Sequence, residues 1–530
     1  MMRRLIHLIA LATALTTVTT GAGADAVGRD RGGTLTCTAC HGGAARHAVD
    51  PVTGEVRDLS IRMDRFRGAD HGDVPCLECH VEGVDSFPHT EAEMLGCMGC
   101  HPRDDLDDAQ ESETYDFPRM EEQFRETVHY TEHPQAFTCE GCHDPHYFRA
   151  TARLATPRVI LQDNNVPCLN CHTQDAVGPL ADPSDAGLVA DHAWLRHTEL
   201  HMDNTRCVDC HTDTDHPEAH DLRVGDDAEQ GCVSCHTLES ILISRLYRYH
   251  AEKDGHPWGF TNPVLLDDGY VMGANRHVLF DRLTYLLLGV PCLVLAFSAL
   301  VRGLRARVRT AGGVLTEDED GMRVPPWVRL WHWTTAVLFA LLIVTGAVLR
   351  FATADTPIDY AWSVTLHEVG GVAFAIVWVL FMILLIATGR WRVYIPGRRG
   401  FWGRLRRDLV YHGLGGARGD QAPRREEAGG RFNAVQQIAY AGMLFLVLPL
   451  IGLSGLLYLY PEEGPALLGL EQLWPLALFH YGVSVLGTVF FVVHVLMATL
   501  GPEAVPGLKR MTMWRSGNSR GVTAGGSGRR

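Results

Sequence analysis

The sequence predicts an all-α protein in two parts: a loop-rich amino-terminal domain of short helices with little sheet, then a bundle of five membrane-spanning helices. Three observations predict it. Seven C-x-x-C-H motifs lie between residues 37 and 236, in a stretch poor in apolar periodicity and rich in His, Asp, Gly and Pro. Five apolar stretches of bilayer-crossing length follow from residue 283 onward. The chain, 530 residues and 46% hydrophobic, has room for two or three domains and for soluble and membrane parts together.

Residues 1–24 have the parts of a secretory signal peptide. Arg3 and Arg4 precede an apolar stretch from Leu5 to about Val18, and the small-residue run Gly21-Ala22-Gly23-Ala24 offers a cleavage site after Ala24. A permanent amino-terminal anchor is the alternative. Either way residues 25–280 are expected outside the cytoplasmic membrane, in the periplasm.

The motifs of this exported domain are Cys37-Thr-Ala-Cys40-His41, Cys76-Leu-Glu-Cys79-His80, Cys97-Met-Gly-Cys100-His101, Cys139-Glu-Gly-Cys142-His143, Cys168-Leu-Asn-Cys171-His172, Cys207-Val-Asp-Cys210-His211 and Cys232-Val-Ser-Cys235-His236. Two cysteines at this spacing form thioethers to one haem, and the histidine that follows becomes the proximal iron ligand. A zinc knuckle or a dithiol pair explains one copy, but neither explains a histidine at the same offset seven times. The motifs use fourteen of the fifteen cysteines, so a disulfide framework is not expected, and Cys292 reads as inert packing in an apolar run. A heptahaem cytochrome c domain of this size packs its core around the macrocycles, with short helices and long loops.

Fourteen further histidines lie in residues 25–280, two for each haem: His47, His71, His89, His129, His133, His146, His192, His197, His201, His216, His220, His250, His256 and His277. Only six methionines share the stretch, so bis-His ligation is favoured over His/Met, and it suits electron transfer more than substrate chemistry. The favoured distal ligands are His71, His133 and His201, just upstream of motifs, His146 in Cys-His-Asp-Pro-His, and then His89, His216 and His250. Duplication is visible: His129-(x3)-His133-(x5)-Cys139 and His197-(x3)-His201-(x5)-Cys207 share their spacing.

The formal charge of −15 is uneven, with acidic runs such as Asp104-Asp105-Leu106-Asp107-Asp108 in the first half and arginines in loops of the second. This argues against nucleic acid as a partner and suits a basic or weakly docking redox partner.

The expected spans are 283–301, 327–349, 365–388, 436–458 and 475–499. They divide the second half into a first span (281–302), a cytoplasmic linker (303–325), a membrane domain (326–502) and a cytoplasmic tail (503–530). Arg302, Arg305, Arg307 and Arg309, the arginine-rich loop from Arg390 to Arg431, and Lys509, Arg510 and Arg515 mark the cytoplasmic side. Loops 351–364 and 460–474 lack Lys and Arg, as the opposite side requires.

Four histidines fall within these apolar spans, where ionisable groups mark function. His332 opens the second span, His367 the third, and His480 and His494 share the fifth. The fourteen-residue spacing returns His480 and His494 to one helix face, about 21 Å apart along the axis. Depth pairs His332 with His494 and His367 with His480, each pair able to hold one b-type haem. Gly370, Gly371, Gly482 and Gly487 are candidates for porphyrin approach or ordinary helix contact. Arg329 and Arg350 are candidates for haem propionates or for interface anchors.

Arg329-Leu330-Trp331-His332-Trp333, Leu366-His367 with its following glycines, and the His480 to His494 spacing resemble the cytochrome b subunits of membrane-bound formate dehydrogenase and nickel-iron hydrogenase. The resemblance covers about residues 320–500 and implies four histidines on two b haems, with a quinone, of menaquinone type, near one of them. The whole architecture resembles the inner-membrane, quinol-oxidising multihaem cytochromes of metal-respiring bacteria. The function expected is membrane-bound electron transfer between the quinone/quinol pool and a periplasmic cytochrome or reductase, in the sense of a quinol:cytochrome c-type oxidoreductase. The alternatives are a subunit docking a dehydrogenase, hydrogenase or reductase, and a terminal reductase of a small substrate. No catalytic residue is assigned.

Overall fold

The computed structural model describes residues 37–43, 47–49, 56–84, 93–101, 115–134, 137–172, 188–216, 219–250, 259–308, 324–396, 400–410 and 432–500. The expected signal peptide, the tail, His89 and His256 lie outside the described residues, as does most of the linker. The chain divides into two compact units, residues 1–230 and 231–530.

In the first unit the motifs shape the local backbone. Each Cys-x-x-Cys closes a helical turn, as at Thr38–His41, Cys76–Cys79, Cys97–Cys100, Cys139–Cys142 and Cys207–His211. The His N–H donates to the first cysteine's carbonyl, at 2.9 Å for His41 to Cys37, 2.9 Å for His143 to Cys139 and 2.9 Å for His172 to Cys168. Residues i, i+3 and i+4 of such a turn share one face, which brings both sulfurs and the imidazole to the same side.

The longest helix of this unit, Pro157–Leu169, starts with Thr156 accepting from the Val159 N–H and Pro157 in its first turn. It docks on the sixth motif. Asn165 Oδ1 accepts from Cys207 N–H at 2.9 Å, and buried Arg206 spans Asn164 at 3.1 Å and Asp209 at 2.7 Å. Sheet is confined, among the described residues, to two short antiparallel ladders, His47–Val49 with Val56–Asp58 and His80–Glu82 with Glu93–Met94. The buried apolar side chains described here are only Ala69, Leu154, Ile160 and Ala219.

The second unit begins before the membrane helices. Leu242, Leu246, Tyr247, Leu265, Leu266 and Ala274 are buried, and fully buried Asn275 donates to the Asn262 carbonyl at 2.9 Å and accepts from Val271 N–H at 2.8 Å. The sequence boundary expected at 280 thus lies downstream of the contact boundary, because the apolar residues of 231–277 find their burial within the second unit.

Among the described residues five long apolar helices follow: α1 (Val278–Val308), α2 (Pro326–Phe351), α3 (Tyr360–Ala387), α4 (Ala434–Tyr458) and α5 (Trp474–Leu500). All five are long and apolar enough to cross a bilayer, as the sequence predicts, and the protein is a multi-pass membrane protein of helical-bundle class. Helix α2 packs on α3, α3 on α4, α4 on α5, and α1 on α5. A central cluster of Phe339, Phe374, Leu448, Ile451 and Val483 joins α2 to α5, and Phe381, Leu385 and Leu444 join the end nearer the start of α2.

Helix α4 contains a π-helical stretch, Met443–Val447, just before Pro449. Proline has no N–H to return to the preceding turn. The Leu444 carbonyl accepts instead from the Trp378 indole N–H of α3 at 3.1 Å, so the defect becomes an interhelical bond.

At the α1 end of the bundle, Asp281 receives Arg276 at 2.8 Å and Arg350 at 2.7 Å, with all three largely buried. The Arg350 guanidinium also stacks 4.2 Å over the Tyr481 ring. Arg350, a candidate for propionate pairing or interface anchoring, thus ties α2 to α1 and α5. Removing one member of a buried ionic group leaves the others uncompensated, at about 3–5 kcal/mol. Asp281→Ala is therefore expected to lower stability by about 3 kcal/mol or more, read by thermal unfolding in detergent; an unchanged midpoint would show that the group contributes nothing.

Candidate functional site

The bundle brings its four histidines together in two pairs. His332 of α2 and His494 of α5 have ring centroids 6.0 Å apart, and His367 of α3 and His480 of α5 lie 6.4 Å apart. Two imidazoles bonded through nitrogen to one metal ion, at about 2 Å per bond, hold their centroids about 6 Å apart. The four rings therefore have the separation of two metal-bridged pairs.

Hydrogen bonds select the ring tautomer at one pair. Thr345 Oγ1 donates to the Leu341 carbonyl at 2.9 Å and lies 2.9 Å from His367 Nδ1. Ser454 Oγ donates to the Leu450 carbonyl at 2.6 Å and lies 2.9 Å from His480 Nδ1. With its own proton committed, each hydroxyl accepts, so Nδ1 carries the hydrogen and the Nε2 lone pair stays available to a metal. The residue following each hydroxyl is glycine. A Cβ on Gly346 would come 3.1 Å from His367 Cε1, and one on Gly455 would come 3.1 Å from His480 Cε1.

These four residues are absent from the sequence reading, which placed its glycines beside the ligands on their own helices. Gly346 and Gly455 sit on the facing helices. The available signal was the repeated Thr-Gly and Ser-Gly pair in spans α2 and α4. Of the expected glycines, Gly487 has a packing role: its Cβ would lie 2.9 Å from Phe339 and 2.9 Å from Ile451. Gly487 is seven residues from both His480 and His494, so Phe339 and Phe374, 5.6 Å apart, form a layer between the two pairs. At the other pair, His494 stacks on Phe490 at 5.6 Å, and buried His332 Nδ1 has no hydrogen-bond partner among the described residues.

The C-x-x-C-H motifs of the first unit repeat the imidazole spacing. His101 faces His71 at 6.2 Å, His80 faces His146 at 6.1 Å, His172 faces His129 at 6.1 Å, His143 faces His220 at 6.2 Å and His211 faces His192 at 5.9 Å. Backbone carbonyls again take up Nδ1: Leu59 at 2.8 Å from His41, Arg223 at 2.8 Å from His211, and Met272 at 2.9 Å from His236. Burial, and then His220, pushes His143 down to about 4, and burial lowers His101 and His129, which keeps these rings neutral as ligation requires.

Of the expected distal partners, His71 and His146 face motif histidines. His133, His201 and His216 do not hold the facing positions described here; His129, His192 and His220 do. His133 turns to Phe137 at 6.3 Å, His201 Nδ1 meets the His197 carbonyl at 3.2 Å, and His216 Nδ1 lies 3.4 Å from Asp213. His250 lies in the second unit with the seventh motif. The reason is geometric: the second imidazole approaches the opposite side and usually comes from another motif's segment. His146 follows motif four but faces motif two, and His220 follows motif six but faces motif four.

No cysteine forms a disulfide. Thiols of successive motifs lie close, with Cys79 near Cys100, Cys97 hydrogen-bonded to Cys139, Cys142 near Cys168, and Cys168 hydrogen-bonded to Cys207. Motifs two to six therefore form an unbroken run of neighbours.

Residues 323–514 match the family of prokaryotic cytochrome b561. The chain is also similar to YdhU of Escherichia coli (strain K12), a protein named as a cytochrome, with 29% identity over 205 residues, 38% of this chain and 78% of that protein. No solved structure matches the chain. The bundle is thus similar to membrane cytochromes b, and what it shares with them supports membrane electron transfer involving b-type haem. The facing neutral imidazoles, tautomer-setting hydroxyls and glycine clearances fit that group.

Outer partners of a metal-bound histidine typically contribute about 10–100-fold in affinity. Thr345→Val and Ser454→Ala are each expected to weaken b-haem retention about 10–100-fold, whereas Thr365→Val, whose hydroxyl bonds only its own helix at Ala361, leaves it intact. The b-haem content per chain of the purified protein checks this; equal contents in all three variants would refute it.

Proposed function

We propose that the protein carries electrons between the membrane quinone pool and redox partners on the periplasmic side, through two b haems and seven covalently attached c haems. The observation that carries this reading is the recurrence of one histidine geometry. Ring pairs 5.9 to 6.4 Å apart occur at both ends of the bundle and at five of the seven C-x-x-C-H motifs.

His332 with His494 and His367 with His480 would hold the two b haems. The cysteines of each motif supply the thioethers, and the motif histidines supply the proximal ligands. The distal ligands for motifs two to six are His146, His71, His220, His129 and His192. Haem supplies one-electron redox chemistry at each site; the protein holds the iron, keeps the imidazoles neutral and sets neighbours in contact. A menaquinol-type donor gives up two electrons and two protons beside one b site and becomes quinone, and the electrons leave one at a time.

The paired imidazoles also weigh against a terminal reductase, which needs an open coordination position on one haem. Five motifs have a second histidine facing the first.

Two experiments test the reading. Mixing the oxidised protein with a reduced menaquinol analogue is expected to reduce b haem first and c haem after it; no haem reduction would sink the quinol assignment. His332→Ala and His367→Ala are each expected to retain seven c haems and lose one b haem, counted by pyridine haemochrome spectra.

A further inference from the structure

The seventh motif belongs to the membrane unit, apart from the other six. Its first turn, Cys232–Cys235, rests on the ends of two membrane helices: Cys232 and Val233 pack against Val348, Leu349 and Ala352 at the end of α2, and against Tyr360 at the start of α3. The His236 ring stacks on the Tyr360 ring at 5.3 Å with planes 26° apart. The next residue after Met272, which accepts from His236, is Gly273, at φ +85°; a Cβ there would collide with the His236 carbonyl and lie 3.4 Å from the Leu349 carbonyl. Motif, loop and α2 meet there without room for a side chain.

The same helix ends carry one of the b sites. On α2, Leu349 is one turn from Thr345, the residue bonded to His367. On α3, Tyr360 and His367 are seven residues apart, two turns on nearly one face, about 10 Å along the axis. Every step between the His236 and His367 imidazoles is packed protein within this unit.

We propose that the Cys232–Cys235–His236 site is the c-haem site that exchanges electrons directly with the His367–His480 site. The proposal rests on the haem reading given above. One electron leaves ferrous iron at the His367–His480 site, which becomes ferric, and enters ferric iron at His236, which becomes ferrous; no proton moves and no bond is made or broken.

The test removes the seventh haem alone. The Cys232→Ser/Cys235→Ser protein, confirmed to hold six c and two b haems, is compared with the wild type and with Cys207→Ser/Cys210→Ser, which lacks the sixth. In the oxidised state a neighbouring paramagnetic iron speeds spin relaxation, so loss of the seventh haem is expected to make the b-haem electron paramagnetic resonance signal saturate at lower power, while loss of the sixth leaves it unchanged. With the menaquinol analogue, the seventh-haem variant is expected to reduce its b haems as the wild type does. Unchanged relaxation overturns the proposal. If the double variant does not mature, Gly273→Val, which pushes the loop off α2 with all haems retained, is expected to slow b-to-c transfer, and wild-type transfer there overturns the proposal equally. Failure of the quinol to reduce any b haem would reject the quinol reading, and the relaxation comparison would still decide the juxtaposition.

Discussion

An imidazole buried away from water has two nitrogens to satisfy, and this constraint organises both parts of the protein. One nitrogen donates to a nearby oxygen: a hydroxyl at His367 and His480, a backbone carbonyl at His41, His211 and His236. The other is left with a bare lone pair, and at the His367–His480 and His211–His192 pairs it belongs to a ring that faces a second ring at metal-bridging distance. Thr345 and Ser454 can act as acceptors only because their own protons are already bonded one turn back in the helix. The glycine after each leaves space for the ring it orients.

The two units depend on this arrangement to different degrees. The membrane unit has a continuous core from Phe339 to Phe381, buried apolar residues in the segment before α1, and a buried Arg276–Asp281–Arg350 group at one end. The six-motif unit has four buried apolar side chains among its described residues, and its motifs two to six form an unbroken line of neighbouring cysteines and paired histidines.

What the sequence made legible follows from the range of the interactions involved. C-x-x-C-H is readable because one helical turn holds all its reactive atoms, and the five spans because bilayer thickness demands an apolar length. His332, His367, His480 and His494 are readable from depth within those spans. The partners of the motif histidines are non-local: His129 and His133 both sit upstream of motif four, one helical turn apart, and nothing nearby tells which ring meets His172. Gly346 and Gly455 are hidden for the same reason, since their purpose lies on a neighbouring helix. Residues 231–250 and 259–277 read in the sequence as part of the loop-rich domain; Leu246, Leu265 and Asn275 among them are buried and belong to the second unit by contacts.

The spacing of His480 and His494 has an electrical meaning. Fourteen residues of α5 span about 21 Å of a hydrocarbon core about 30 Å thick. An electron passing from one pair to the other therefore crosses about 0.7 of the membrane voltage, about 1.6 kcal/mol for each 100 mV. Whatever the donor and acceptor, that step runs faster or slower with the voltage of the cell, and the length of one helix sets how strongly.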